Sequence, residues 1–114
     1  MIEPVILSPV RVPDLRKGDV IYTRKYHDMG GDKGRPAVVL AVYDGSVVVA
    51  YMAKKRQFYS PEFRVVTEAT GTPSLILLNR ISTISQDRVL KRVGQVTPDE
   101  MGKINVGLSL LLGL

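Results

Sequence analysis

At 114 residues and 12.6 kDa the chain fits one domain, long enough to bury a single proper core. Its 45% apolar and 24% charged residues exclude a disordered polar tail, a collagen-like repeat and a coiled-coil rod. With no Cys and one His, a disulfide framework, a thiolate metal site and a cysteine nucleophile are excluded, and neither metal nor cofactor is expected. The charge of +5 and pI near 9.7 favour a polyanionic partner, nucleic acid first.

The N-terminal stretch MIEPVILSPVRVP carries Glu3 and prolines through its apolar part, so it does not read as a signal peptide. No apolar run approaches the ~18 residues of a membrane span. A cytoplasmic protein without membrane contact is expected. Residues 1–16, with Pro4, Pro9 and Pro13, read as an extension, and residues 17–114 as a single domain.

GDVIYT (18–23) is a short β-rich strand, followed by the glycine-containing loop RKYHDMGGDKG (24–34). RPAVVLAVY (35–43) and SVVVAYMA (46–53) flank Asp44-Gly45, a hairpin signal whose two turn positions are expected at positive φ. Both runs are apolar throughout, which predicts strands covered on both faces. KKRQFYSPE (54–62) is a basic loop, FRVV (63–66) a strand, TEATGTP (67–73) a turn and SLILLNR (74–80) a buried strand. STISQD (82–87) predicts a bend or short helical turn, and RVLKRVGQV (88–96) a half-exposed strand.

The chain ends in a helix with a legible start. Thr97 is placed at the N-cap, Pro98 at the first helical position and Glu100 at the third, a capping box. Met101, Ile104, Leu108, Leu111 and Leu112 recur at helical spacing and predict a core stripe. The expected fold is mainly β with a C-terminal helix: a small antiparallel barrel. Its apolar strands and the LSLLLGL tail would leave exposed greasy surface on a monomer, so a homodimer is expected.

Two basic clusters fall at one end of the hairpin. Arg24, Lys25, Lys33 and Arg35 flank the first loop; Lys54, Lys55 and Arg56 open the second. Because the hairpin turns at 44–45, residues 35 and 53–54 share its open end. Tyr26, Phe58 and Tyr59 lie among these cations. Charges beside exposed rings suit single-stranded nucleic acid, where cations track phosphates and rings stack on bases. A solvated rim with inward rings is the alternative. His27 is a candidate base or stacking ring, and Asp28 and Asp32 a candidate carboxylate pair.

KGDVIYT, GRPAVVL (34–40) and the stretch from LILLNR to the C-terminus occur in an order that resembles the MazF/PemK (Kid) family of toxin–antitoxin ribonucleases, over roughly residues 16–114. The resemblance implies a dimeric SH3-like barrel of the CcdB/MazF kind. It implies metal-independent, sequence-selective cleavage of single-stranded RNA by attack of the 2′-hydroxyl, and an antitoxin partner that blocks the groove. Arg35 matches the family's catalytic Arg, suited to a phosphorane because a guanidinium forks onto two oxygens and stays charged. Lys33, Lys54, Lys55, Arg56, His27, Tyr26 and Asn79 are the candidate RNA contacts. The sequence departs from the family where Ser or Thr residues help hold the phosphate: Met52 and Ala53 are read at those positions, and Asn79 stands for a frequent Asp. That departure leaves open a catalytically degenerate RNA-binding or protein-interaction module, and behind it a protein-targeting toxin of the same fold.

Overall fold

The computed structural model describes residues 12, 14–24, 34–54 and 63–114. Six strands and one long helix follow in order: β1 (Asp19–Thr23), β2 (Arg35–Tyr43), β3 (Ser46–Lys54), β4 (Arg64–Thr67), β5 (Ser74–Ser85), β6 (Val89–Gln95) and α1 (Pro98–Leu112). All neighbouring strands pair antiparallel, in the order β4-β5-β3-β2-β1-β6.

Each long strand divides its residues between two apolar clusters, because successive side chains point to opposite faces. Val20, Val38, Ala50, Met52, Val65, Ile76 and Leu78 meet Ile104 of α1, with Val93 of β6 packed against them. That cluster draws on all six strands and the helix, so it is the interior of a rolled sheet. Ile21, Ala37, Val39, Val47, Val49, Ile84 and Val89 form the second cluster on the outer face, where Val12 and Leu15 pack. Over Ala37–Val39 and Val47–Met52 the runs of β2 and β3 are thus covered on both sides, as their composition predicts, whereas Val42 and Tyr43 at the hairpin end are exposed.

The edge strands come together at one close contact. A Cβ on Gly94 of β6 would stand 2.5 Å from the carbonyl oxygen of Ala69, just after β4. Only a residue without a side chain lets the sheet curl this far. Two extra residues in β6, Leu90 and Val93, have no partner in the β1 register, which runs from Asp19↔Gln95 to Thr23↔Val89. Bulges of this kind bend an edge strand.

Three local expectations are corrected. SLILLNR does not end before a bend: β5 runs on to Ser85, paired to β3 through Ser46↔Ser85, and the helical turn is confined to Gln86–Arg88. Cross-strand pairing outweighs the polar character of Ser82, Thr83 and Ser85. In the hairpin only Gly45 has a positive φ, 74°; among the described residues Asp14 is the one non-glycine in that region. The turn is instead held from outside, where Gln86 donates its backbone N–H to Gly45 O (2.9 Å) and its side-chain amide to Tyr43 O (3.3 Å). Finally, Leu112 lies off the core stripe and is exposed. Ile104 is fully buried and Met101, Leu108 and Leu111 half-buried, but eight residues at ~100° each carry Leu112 about 80° round from Ile104.

The helix start forms as read. Glu100 N–H donates to Thr97 Oγ1 (3.1 Å) and Thr97 N–H to Glu100 Oε1 (3.0 Å). The same carboxylate oxygen accepts from the buried Thr67 hydroxyl of β4 at 2.8 Å, which ties the helix to the sheet edge. No described helix is long and apolar enough to cross a membrane.

Candidate functional site

Arg35 opens β2 and is exposed at the hairpin's free end. Its backbone is held from β1. Thr23 pairs with Arg35, is itself buried, and donates its hydroxyl to the Arg35 carbonyl at 3.1 Å. The preceding Gly34 leaves no room for a side chain: a Cβ there would lie 2.8 Å from Thr23 O and 3.2 Å from Tyr22 Cβ. The GRP segment is therefore seated tightly against β1 before Arg35 projects.

The side chain is held from the other neighbour. Ala37 pairs with Tyr51 of β3, so Arg35, two residues earlier on the same face, is the diagonal neighbour of Tyr51. Its Cζ stands 4.4 Å from the centre of the Tyr51 ring, a cation–π contact. Tyr51 is half-buried and packs on the outer-face cluster, so the ring is a supported platform.

On its far side Tyr51 meets an irregular stretch of β5. The β3–β5 register steps from Ala50↔Ile81 to Met52↔Ile76, so the four residues 77–80 of β5 lie opposite Tyr51 alone. Leu77 and Leu78 are buried, whereas Asn79 and Arg80 are exposed. Asn79 thus sits in a bulge opposite Tyr51 on the neighbouring strand. Arg80, exposed in the same bulge, is a cation that the reading of 74–80 as a buried strand does not single out.

Lys54 is the last residue of β3 and exposed, at the same end of the ladder as Arg35. Arg24 follows directly on Thr23, the partner of Arg35. Arg24, Arg35 and Lys54 therefore line one rim, contributed by three adjacent strands. Tyr26, His27, Lys33, Lys55 and Arg56 lie outside the described residues, as do Asp28, Asp32, Phe58 and Tyr59.

Met52 and Ala53, read together as one altered pair of family positions, are separated by the strand. Met52 is buried in the barrel interior, on the face opposite Arg35. Ala53 is half-exposed and follows Tyr51 on Arg35's side by alternation. A polar group at 52 would face the core, so only position 53 bears on the site, and its methyl offers no hydrogen bond. Among the described residues no three His, Asp or Glu come together as a metal-binding group.

The chain matches the model of a protein family described as PemK-like, MazF-like toxin of type II toxin–antitoxin systems, over residues 16–112. Solved structures with the same fold include a mycobacterial endoribonuclease in complex with its cognate antitoxin, at 22% identity and TM-score 0.72, covering 89% of this chain and 97% of that one. A MazE–MazF structure from Deinococcus radiodurans is 19% identical with TM-score 0.69, covering 86% and 94%. The Mycobacterium tuberculosis toxin MazF-mt6 is 15% identical with TM-score 0.68, covering 84% and 97%. Comparison with curated proteins gave no match.

Proposed function

We propose, for a chain that belongs to the PemK-like, MazF-like toxin family of type II toxin–antitoxin systems, that it is an endoribonuclease that cleaves single-stranded RNA sequence-selectively. The observation that carries this reading is Arg35: exposed, seated by Thr23 and Tyr51, and lying in the matched GRPAVVL segment beside Lys54.

The reaction is an internal transfer. The ribose 2′-oxygen loses its proton and bonds to the adjacent phosphorus. The bond from phosphorus to the 5′-oxygen breaks, and that oxygen takes up a proton. The products are a 2′,3′-cyclic phosphate and a 5′-hydroxyl. Since the nucleophile belongs to the substrate, no metal-activated water is required. The largest demand is negative charge on the crowded phosphorane, met by preorganised donors. Arg35 supplies a fixed positive charge with paired N–H groups. Lys54 with Lys33, Lys55 and Arg56 holds flanking phosphates, Asn79 bonds a base or phosphate beside Tyr51, and Tyr26 or His27 contacts a base.

The test is digestion of a long single-stranded RNA by the full chain in the presence of EDTA, with both ends of each product mapped. Cyclic phosphate and 5′-hydroxyl ends are expected, and a 2′-deoxy nucleotide at the cut position should abolish the cut. Failure to cleave at any site sinks the reading. One observation favours a second: Ala53, on Arg35's face, lacks the hydroxyl that would share the phosphate with Arg35. A non-catalytic RNA binder would bind the same RNA with strong salt dependence and yield no product.

The proposed partners are a second copy and an antitoxin. Val106 and Leu110, one turn apart on α1, and Leu114 beyond its end are all more than half exposed, supporting a surface that a two-fold copy covers. Sedimentation at micromolar concentration should give twice the 12.6 kDa chain mass. A species of single mass would rule the dimer out.

A further inference from the structure

We propose that Tyr51 is a positioning residue for Arg35, an inference that rests on the nuclease reading above and adds a residue to it.

The geometry separates two uses of one guanidinium. The Arg35 Cζ lies over the Tyr51 ring, 4.4 Å from its centre, so the cation is held against the face of the aromatic ring. A guanidinium carries five N–H donors in a planar fork, more than one ring engages, so donors remain for phosphate oxygens. An exposed Arg otherwise samples many rotamers, and each productive encounter must freeze them. The Tyr51 ring removes that search on one side, while Thr23 and Gly34 fix the Arg35 backbone on the other. Its own support comes from the outer-face cluster, which includes Ala37, its direct partner on β2. A transition-state donor that is already oriented contributes to kcat rather than to ground-state binding.

A ring and a hydroxyl make different predictions. If Tyr51 positions Arg35 through its face, Tyr51→Phe keeps the effect and Tyr51→Leu removes it. With a single-site RNA oligonucleotide, Tyr51→Phe should stay within about 2-fold of the unaltered kcat. Tyr51→Leu should lose about 5–30-fold in kcat with KM changed less than 2-fold. A readout independent of turnover accompanies this. The side-chain resonances of Arg35 should carry a ring-current shift in the unaltered protein and in Tyr51→Phe, and lose it in Tyr51→Leu.

Four results would overturn the proposal. Tyr51→Phe falling as far as Tyr51→Leu would give the phenol oxygen a part in the chemistry. Tyr51→Leu raising KM at constant kcat would make the ring a base-stacking platform. Unchanged kcat in Tyr51→Leu would give it no role. Absence of cleavage by the unaltered protein would overturn the nuclease reading itself, whereas the first three leave that reading standing.

Discussion

Replacing Arg35 by alanine should lower RNA cleavage by about 10²–10³-fold, the usual cost of deleting one preorganised donor to a developing oxyanion. The change should leave the fold intact, because the side chain is exposed and the backbone tie to Thr23 survives the loss of its contact with Tyr51. Circular dichroism and melting temperature should therefore match the unaltered protein while the rate collapses. Arg35→Lys separates charge from shape. A lysine ammonium keeps the positive charge but cannot fork onto two phosphate oxygens as a planar guanidinium does. Part of the rate, not all, should return. A rate unchanged in Arg35→Ala would remove Arg35 from the chemistry.

Asp19→Ala should be strongly destabilising. Asp19 is 1% exposed at the start of β1. Its carboxylate accepts from Arg92 Nε at 3.1 Å, Gln95 Nε2 at 2.9 Å and the Arg16 backbone N–H at 2.8 Å. It joins the lead-in to β1 to the edge strand β6. Alanine would strand the donors around the vacated position, at a cost of about 2–4 kcal/mol. The Arg92 contribution counts at the low end, since its side chain is about one-third exposed and water screens it. For a domain of this size that corresponds to roughly 10 °C in melting temperature. Asp19→Asn should cost less, because it keeps one acceptor while turning an amide donor towards other donors. Equal melting temperatures for all three proteins would show that the cluster contributes no net stability.

Much of this architecture is legible before folding is considered. The capping box at Thr97–Glu100 depends on residues three apart, and it forms as its spacing predicts. The runs 35–43 and 46–53 become strands within a residue of their sequence limits, and their apolar character reports two covered faces except at Val42 and Tyr43. The site was legible to the extent that a hairpin brings its own ends together, placing Arg35 and Lys54 on one rim. What was not legible depends on distant partners. STISQD has the composition of a bend, yet its first four residues pair with β3. Met52 and Ala53 look like one doublet in sequence, but the pleat turns Met52 into the core. The exposed Asn79 and Arg80 lie in the β5 bulge, which no local pattern announces.

The amino-acid sequence by itself determined the β2–β3 hairpin strands, the helix cap and the meeting of Arg35 with Lys54 at one end of the hairpin, because periodicity and capping act between residues close along the chain, and the order of its motifs carried the family resemblance. Only the tertiary structure decided that Tyr51 lies under the Arg35 guanidinium, that Gly94 lets the sheet curl onto Ala69, and that Asp19 gathers donors more than seventy residues away. Those contacts follow from register and bulges, which are set by how all six strands share two cores rather than by any one segment.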